Sequence, residues 1–220
     1  MVASQLRRVL VDSPASLGAK ARMKRWQIFR EAYPAIENMS LLDLGGTVET
    51  WRRAPVRPNR VTVLNLLEPG ESDEDWLIPV TGDACDAADV LEKAGVDPGF
   101  DVVFSNSLIE HVGGHARRLE LAGHIRALAP RHWVQTPYRY FPLEPHWLFP
   151  GMQFLPAAAR VKIAKHWPLV HTRPANIEEA RNEVLWTELV SLTEMREYFP
   201  TSTILHERVL GATKSLIALS

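Results

Sequence analysis

The stretch Leu41-Leu-Asp-Leu-Gly-Gly-Thr47 decides how this chain is read. Residues 41–44 form a short apolar run closed by a glycine pair, as a buried strand does when it ends in a tight turn. Asp43 stands just before that turn. A strand running into Gly-Gly, with further β/α units behind it, is how a doubly wound sheet brings its backbone close to a nucleotide-like ligand. A glycine turn alone is a common feature. Three further segments carry the same message, each closing a predicted strand and in the order such a sheet requires. They are Val61-Thr-Val-Leu-Asn65, Gly82-Asp-Ala84 and Phe100-Asp-Val-Val-Phe-Ser-Asn106.

Outward from these segments, the pattern alternates. Residues 1–15 read as an irregular leader and 16–33 as a helix, with Leu17, Met23, Trp26, Ile28 and Phe29 as its apolar positions and Pro34 ending it. A first crossover begins at 48–53 and is kept short by Pro55 and Pro58. Strands are expected at 61–66, 76–80, 101–105 and 133–136, and helices at 86–94 and 114–128. Residues 141–183 are rich in Pro, His and aromatics, and helical patches are expected at 157–166 and 177–198. The β-rich runs 203–209 and 214–219, split by Gly211, read as an antiparallel hairpin. The fold class is therefore α/β: a doubly wound, mostly parallel, seven-stranded sheet with a C-terminal antiparallel hairpin and a Pro/aromatic-rich insertion after the fifth strand.

Bulk composition narrows the class. With 220 residues, 46% of them apolar, the chain is long enough to bury a core without staples. A net charge of -1 argues against a nucleic-acid binder that works by neutralising phosphates. The single cysteine, Cys85, rules out an internal disulfide and points to a reducing compartment. Arg7 and Arg8 are followed by no apolar segment of a secretory signal, and no run is long enough to span a bilayer, so a cytoplasmic protein is expected. Lys20, Arg22, Lys24 and Arg25 read as the wet face of the first helix.

Taken together, the motifs resemble those of class I S-adenosylmethionine-dependent methyltransferases of the small-molecule type, across about residues 38–137. That resemblance implies a Rossmann-like domain over 1–220, with a helical cap (1–37), a cofactor-binding core (38–140), an acceptor-side insertion with helices (141–200) and the terminal hairpin (201–220). It implies S-adenosylmethionine as cofactor. Gly45 and Gly46 would let backbone approach its methionine part, and Asp43 would accept from its ammonium or else organise the turn. Asn65 stands where relatives carry an acid for the ribose hydroxyls, and its competing reading is a strand-end turn residue. Asp83 and Ala84 would meet the adenine, with Asp83 also suited to cap a helix. Ser105 and Asn106 end the fourth strand at the ligand-binding rim. Glu110 and His111 would open the next helix, flanking the transferred methyl or closing over the adenine, and His111 reads equally as a helix-terminus residue bonded to backbone.

The acceptor side is expected in Thr136-Pro-Tyr-Arg-Tyr-Phe-Pro-Leu-Glu-Pro-His-Trp-Leu-Phe-Pro150. Prolines preorganise this loop, and aromatics beside Glu144 and His146 suit a sugar ring. His146 is the candidate base, with Glu144 or His111 assisting. The string is similar to one found in bacterial methyltransferases of cell-surface glycans and in actinobacterial sugar O-methyltransferases acting on methylmannose polysaccharide precursors. An oligosaccharide or another small molecule is the expected partner, and the Trp- and Pro-rich segment suits a homodimer contact as well as a lid. His111 and His115, four apart, have the spacing of a metal pair but no third ligand, so they read as a solvated helix face. Mg²⁺ on Glu110 or Glu144 is a secondary expectation. Cys85 reads as packing. The expected reaction is methyl transfer to a hydroxyl of a sugar or oligosaccharide, and three alternatives stand beside it: the same donor with a small amine, lipid or phenol as acceptor; a non-catalytic scaffold in glycan assembly; and a nucleotide-sugar dehydrogenase or reductase, which the short Gly45-Gly46 turn disfavours.

Overall fold

The computed structural model describes residues 16–170 and 173–220, and the chain divides into two compact units. One comprises residues 34–140 and 188–220; the other comprises 141–187 and the N-terminal residues up to Tyr33. The expected leader at 1–15 lies outside the described residues. In chain order the strands are β1 (Ser40–Leu44), β2 (Arg60–Asn65), β3 (Leu77–Thr81), β4 (Val102–Asn106), β5 (Arg131–Pro137), β6 (Leu143–Glu144), β7 (Phe149–Pro150), β8 (Thr203–Val209) and β9 (Ala212–Leu219). The α-helices are α1 (Leu17–Ala32), α2 (Val48–Arg52), α3 (Ala87–Lys93), α4 (His115–Leu128), α5 (Ala157–His166), α6 (Ile177–Trp186) and α7 (Leu192–Tyr198).

The larger unit is built on one seven-stranded sheet in the order β3-β2-β1-β4-β5-β9-β8. β1 to β5 run parallel, and β9 and β8 close the sheet antiparallel, as the α/β reading expected. Leu42, Leu44, Leu64, Val103, Val134 and Leu216 line one face against Leu91 of α3, Leu121 and Ile125 of α4, and Met195 of α7. Each such side chain, fully buried, contributes about 1.5–3 kcal/mol relative to exposure. Because residues alternate across a strand, Leu41, Asp43, Val63 and Phe104 belong to the opposite face. There Trp51 of α2 meets Phe104 edge-on, with ring centroids 5.3 Å apart.

The hairpin turn is tighter than expected. Leu210 (φ 51°) and Gly211 (φ 83°) are both left-handed, as a two-residue type I′ turn requires, so β9 starts at Ala212. The helical patch at 177–198 is two helices. Ser191 caps α7 and exchanges bonds with Glu194 in a full capping box, while Val190 pairs with Tyr138 in a parallel bridge.

In the smaller unit, Ser16 caps α1 by accepting from the Ala19 N–H, and Phe29 and Tyr33 lie 5.1 Å apart. Lys20, Arg22 and Lys24 are exposed, as a wet helix face would be. Trp147, Met152, Val161, Ala164, Ala180 and Val184 form this unit's own core, with α5 and α6 supplying most of it. β6 and β7 pair as a short hairpin, Glu144 opposite Phe149. Among the described residues, no helix is long and apolar enough to cross a membrane.

Candidate functional site

The strand order reverses between β1 and β4, and the carboxyl ends of strands at such a switch point are where open α/β sheets bind ligands. These two strands and the loops after them carry Asp43, Gly45, Gly46, Ser105, Asn106, Glu110 and His111. Gly45 is left-handed (φ 87°), and its N–H donates to Leu64 O at 2.8 Å. A Cβ there would lie 2.9 Å from Leu108, which follows β4. At Gly46 a Cβ would lie 1.7 Å from Asp43 Oδ2, so this glycine leaves room for the acid beside it. Thr47 then caps α2, accepting from the Thr50 N–H, and the helix brings the Trp51 indole back over β1.

Asp43 is 1% exposed. Its Oδ2 accepts from Trp51 Nε1–H at 2.7 Å, while Oδ1 is buried and has no hydrogen-bond partner among the described residues. Burial pushes its pKa up to about 7, and the indole bond pulls the other way. This is a carboxylate kept out of water with one oxygen unsatisfied, a costly arrangement unless a cation or donor answers it.

Asn65 braces the glycine loop. Its Nδ2 donates to Gly46 O at 2.8 Å and Gly45 O at 3.2 Å, and its Oδ1 accepts from Leu67 N–H at 3.0 Å. A carboxylate has no N–H to give to two carbonyls, so the amide here has a structural reason. Asp83 caps the 3₁₀ turn Ala84–Asp86, with Oδ1 accepting from Cys85 N–H at 2.9 Å. Its Oδ2 pairs with Arg117 of α4 at 2.5 Å, and Arg117 Nε also donates to Val112 O at 3.1 Å. Ala84 and Cys85 are buried, and burial raises the Cys85 thiol to about 11, so it stays neutral and packs.

Ser105 is fully buried and donates to Leu44 O at 3.1 Å, tying the ends of β4 and β1 together. Asn106 is exposed at the rim. Ser107 follows at φ 60°, a strained conformation for a residue with a Cβ. Gln135 of β5 holds it, its carbonyl accepting from the Ser107 N–H at 2.9 Å and its side chain lying 3.1 Å from Ser107 Oγ.

Glu110 and His111 do not open α4. They sit in a separate 3₁₀ turn, Ile109–His111, and Gly113 and Gly114 intervene before the helix starts at His115. His111 and His115 therefore share no helix face. His115 instead binds Tyr198 Oη at 2.9 Å and Glu197 at 3.3 Å. Glu110 is fully buried and accepts from Thr136 Oγ1 of β5 at 2.9 Å.

In the smaller unit, Glu144 and His146 form a dyad. His146 Nδ1 lies 2.7 Å from Glu144 Oε1, and Glu144 Oε2 accepts from the Trp147 N–H at 2.8 Å. Glu144 is 3% exposed, so the carboxylate is held by these two bonds in a dry place. The turn is fixed from behind by Trp167, whose indole donates to Trp147 O at 2.7 Å and whose ring lies 4.8 Å from that of Phe149. In the tautomer that gives Nδ1–H to the carboxylate, Nε2 carries the basic lone pair.

Sequence reasoning gave no role to Trp51, Arg117 or Gln135, and quoted Thr136 only as the start of the acceptor-side segment. The first left a signal, a Trp in a short helix directly behind the glycine turn. The others act across 34, 28 and 26 residues, and no local pattern reports such partners.

No family model and no curated protein matches the chain. Solved structures do. An S-adenosylmethionine-dependent methyltransferase from Anabaena variabilis ATCC 29413 is 14% identical, with 91% of this chain and 93% of that one covered and a TM-score of 0.51. The N-methyltransferase NodS from Bradyrhizobium japonicum WM9 is 8% identical, with 91% and 95% covered and a TM-score of 0.50. Mycolic acid cyclopropane synthase CmaA1, complexed with SAH and CTAB, is 17% identical, with 90% and 65% covered and a TM-score of 0.52. At such identities the likeness is one of fold: the chain has the Rossmann-like α/β fold that these methyltransferases share.

Proposed function

We propose that this protein is an S-adenosylmethionine-dependent methyltransferase. The observation that carries the reading is Asp43, a buried carboxylate with an unanswered oxygen beside a glycine loop that no Cβ fits, at the switch point of the sheet. A carboxylate so placed suits a ligand's ammonium group, and the fold shared with a structure holding SAH supports the same ligand class. S-adenosylmethionine supplies an electrophilic methyl group when bound. The chain's own residues then have these roles. Asp43 takes the ammonium, and the backbone of Gly45 and Gly46 lies along the methionine part. Asn65 holds that loop and offers a remaining Oδ1 lone pair to a ribose hydroxyl. Asp83 and Ala84 face the adenine, while Asn106 at the exposed end of β4 closes the rim and Ser105, buried behind it, ties β4 to β1.

For the acceptor we propose a hydroxyl, on a sugar or oligosaccharide. Glu144 and His146 support this: the dyad by itself is a competent proton acceptor, and an alcohol needs a base when it attacks. The aromatic, proline-rich composition of 136–150 suits a sugar ring. The direct test is calorimetry with S-adenosylhomocysteine, followed by transfer of labelled methyl to panels of sugars, amines and lipids. No binding heat sinks the cofactor reading, whereas transfer to amines alone sinks the hydroxyl reading only.

Asp83→Ala is expected to weaken S-adenosylhomocysteine binding roughly tenfold, the loss of one charge-assisted hydrogen bond. The fold should tolerate the change at a cost of about 1 kcal/mol, since the Arg117 pair it removes is partly solvent-exposed and the other loss is one cap bond to the Cys85 N–H. Calorimetry and a melting curve on the same variant check both halves, and unchanged affinity would remove Asp83 from the site.

A further inference from the structure

We propose that Trp51 is a positioning residue for ligand binding: its indole N–H holds the Asp43 carboxylate by Oδ2, so that Oδ1 is presented to a cationic ammonium group. The inference rests on the methyl-donor reading of the site and concerns a residue that reading does not itself require.

The geometry is specific. Trp51 is 1% exposed, and its ring is pinned edge-on against Phe104 of β4. The Nε1–H points at one carboxylate oxygen at 2.7 Å, the short end of the range for an N–H donor. A carboxylate has two oxygens and rotates about its Cβ–Cγ bond, so a single buried donor fixes which oxygen is left over. An indole can donate but never accept, so it engages one carboxylate oxygen and offers a ligand's N–H groups no rival acceptor. Gly46 completes the device, because any side chain there would occupy the position of Oδ2.

Burial and the indole are the two influences on the charge of Asp43. Charged groups on the neighbouring elements are engaged elsewhere. Arg52 of α2 binds Glu74, Arg53 binds Glu49, and Asp101 before β4 accepts from the Ser40 N–H at the far end of β1. The indole is thus the only group among these that favours the anion against its dry surroundings. Without it the carboxyl should hold its proton to higher pH and bind a cation less well at neutrality.

The test compares the parent, Trp51→Phe, Asp43→Asn and the double variant. S-adenosylhomocysteine affinity is read by calorimetry from pH 5.5 to 9, and the Asp43 carboxyl is followed by carbon NMR in the ligand-free protein. Trp51→Phe is expected to lose roughly tenfold in affinity at pH 7, as one hydrogen bond to a charged group implies. The deficit should shrink as pH rises and both proteins ionise Asp43. The carboxyl midpoint should move up, and in the Asp43→Asn background the same change should have no pH-dependent effect. If Trp51→Phe does not fold, the parent alone still decides, because the Trp51 indole N–H resonance should titrate with the Asp43 midpoint. An unmoved midpoint, a deficit that is the same at every pH, or an indole signal that ignores Asp43 overturns the role of Trp51 and leaves the methyl-donor reading standing. A parent that binds no S-adenosylhomocysteine at any pH overturns that reading, and this inference with it.

Discussion

Asp43→Asn is expected to bind S-adenosylhomocysteine roughly a hundredfold more weakly than the parent and yet to be the more stable protein at pH 8. The two effects share one cause. Asp43 ionises near pH 7 in the folded chain against 3.8 for a free carboxyl, because burial penalises its charge. Between those values the native state keeps a proton that the unfolded state has released. Stability therefore falls as pH rises through that window, by about 1.4 kcal/mol per unit, and the total is on the order of 4 kcal/mol. Asparagine has no charge to bury and still offers an oxygen to the Trp51 indole. The variant should match the parent near pH 4 and exceed it progressively toward pH 8. Without a carboxylate it has nothing to pair with an ammonium, so the gain in stability comes with the loss of binding, the usual relation where a site stores an unsatisfied group. Melting curves at pH 4.5 and 8, with calorimetry on the same preparations, measure both effects. Equal stability at pH 8 would mean that Asp43 is solvated in the folded protein. Equal affinity would mean that the ligand's cation is met elsewhere.

What the sequence made legible was the rim; what it hid was how the rim is braced. The strand at 41–44, the glycine pair and the order of the β/α units are local patterns, and periodicity with turn chemistry reports local patterns well. Asn65 was visible as a departure from an acid, but its reason was not. Its amide serves two carbonyls some twenty residues upstream, a relation set by the parallel pairing of β1 with β2. The roles of Arg117, Gln135 and Thr136 stayed hidden on the same ground. The 177–198 segment is a different kind of miss. Ser191-Leu-Thr-Glu194 is a readable capping box, and continuous helical propensity masked the start signal inside it. His111 was misplaced because helical spacing was extended across Gly113 and Gly114, where the left-handed Gly113 (φ 104°) ends the local turn. One compact unit draws on two segments that the linear reading set apart, the cap at 1–37 and the insertion at 141–200, and their association is a long-range relation that no local pattern reports.

Replacing His146 is expected to cost the most turnover of any change in this chain. A positioned base contributes about 10²–10⁴ in rate, so kcat of His146→Ala should fall by that order while S-adenosylhomocysteine affinity changes by no more than a few fold. Alanine has a second effect that must be separated from the first. It leaves the Glu144 carboxylate, 3% exposed, with the Trp147 N–H at Oε2 and without the imidazole at Oε1, and a buried charge stripped of a donor costs stability. His146→Asn resolves the ambiguity. Its amide nitrogen can take the place of Nδ1 against Glu144 Oε1, preserving the turn, but it has no basic nitrogen to offer. If His146 accepts the acceptor's proton, the asparagine variant should melt close to the parent and be as slow as the alanine variant, and added imidazole should restore part of the alanine variant's rate. If the dyad only ties the β6–β7 turn, asparagine should restore turnover along with stability, and imidazole should do nothing. A near-parental rate in either variant would place the base on another residue and leave the Asp43 half of the reading untouched.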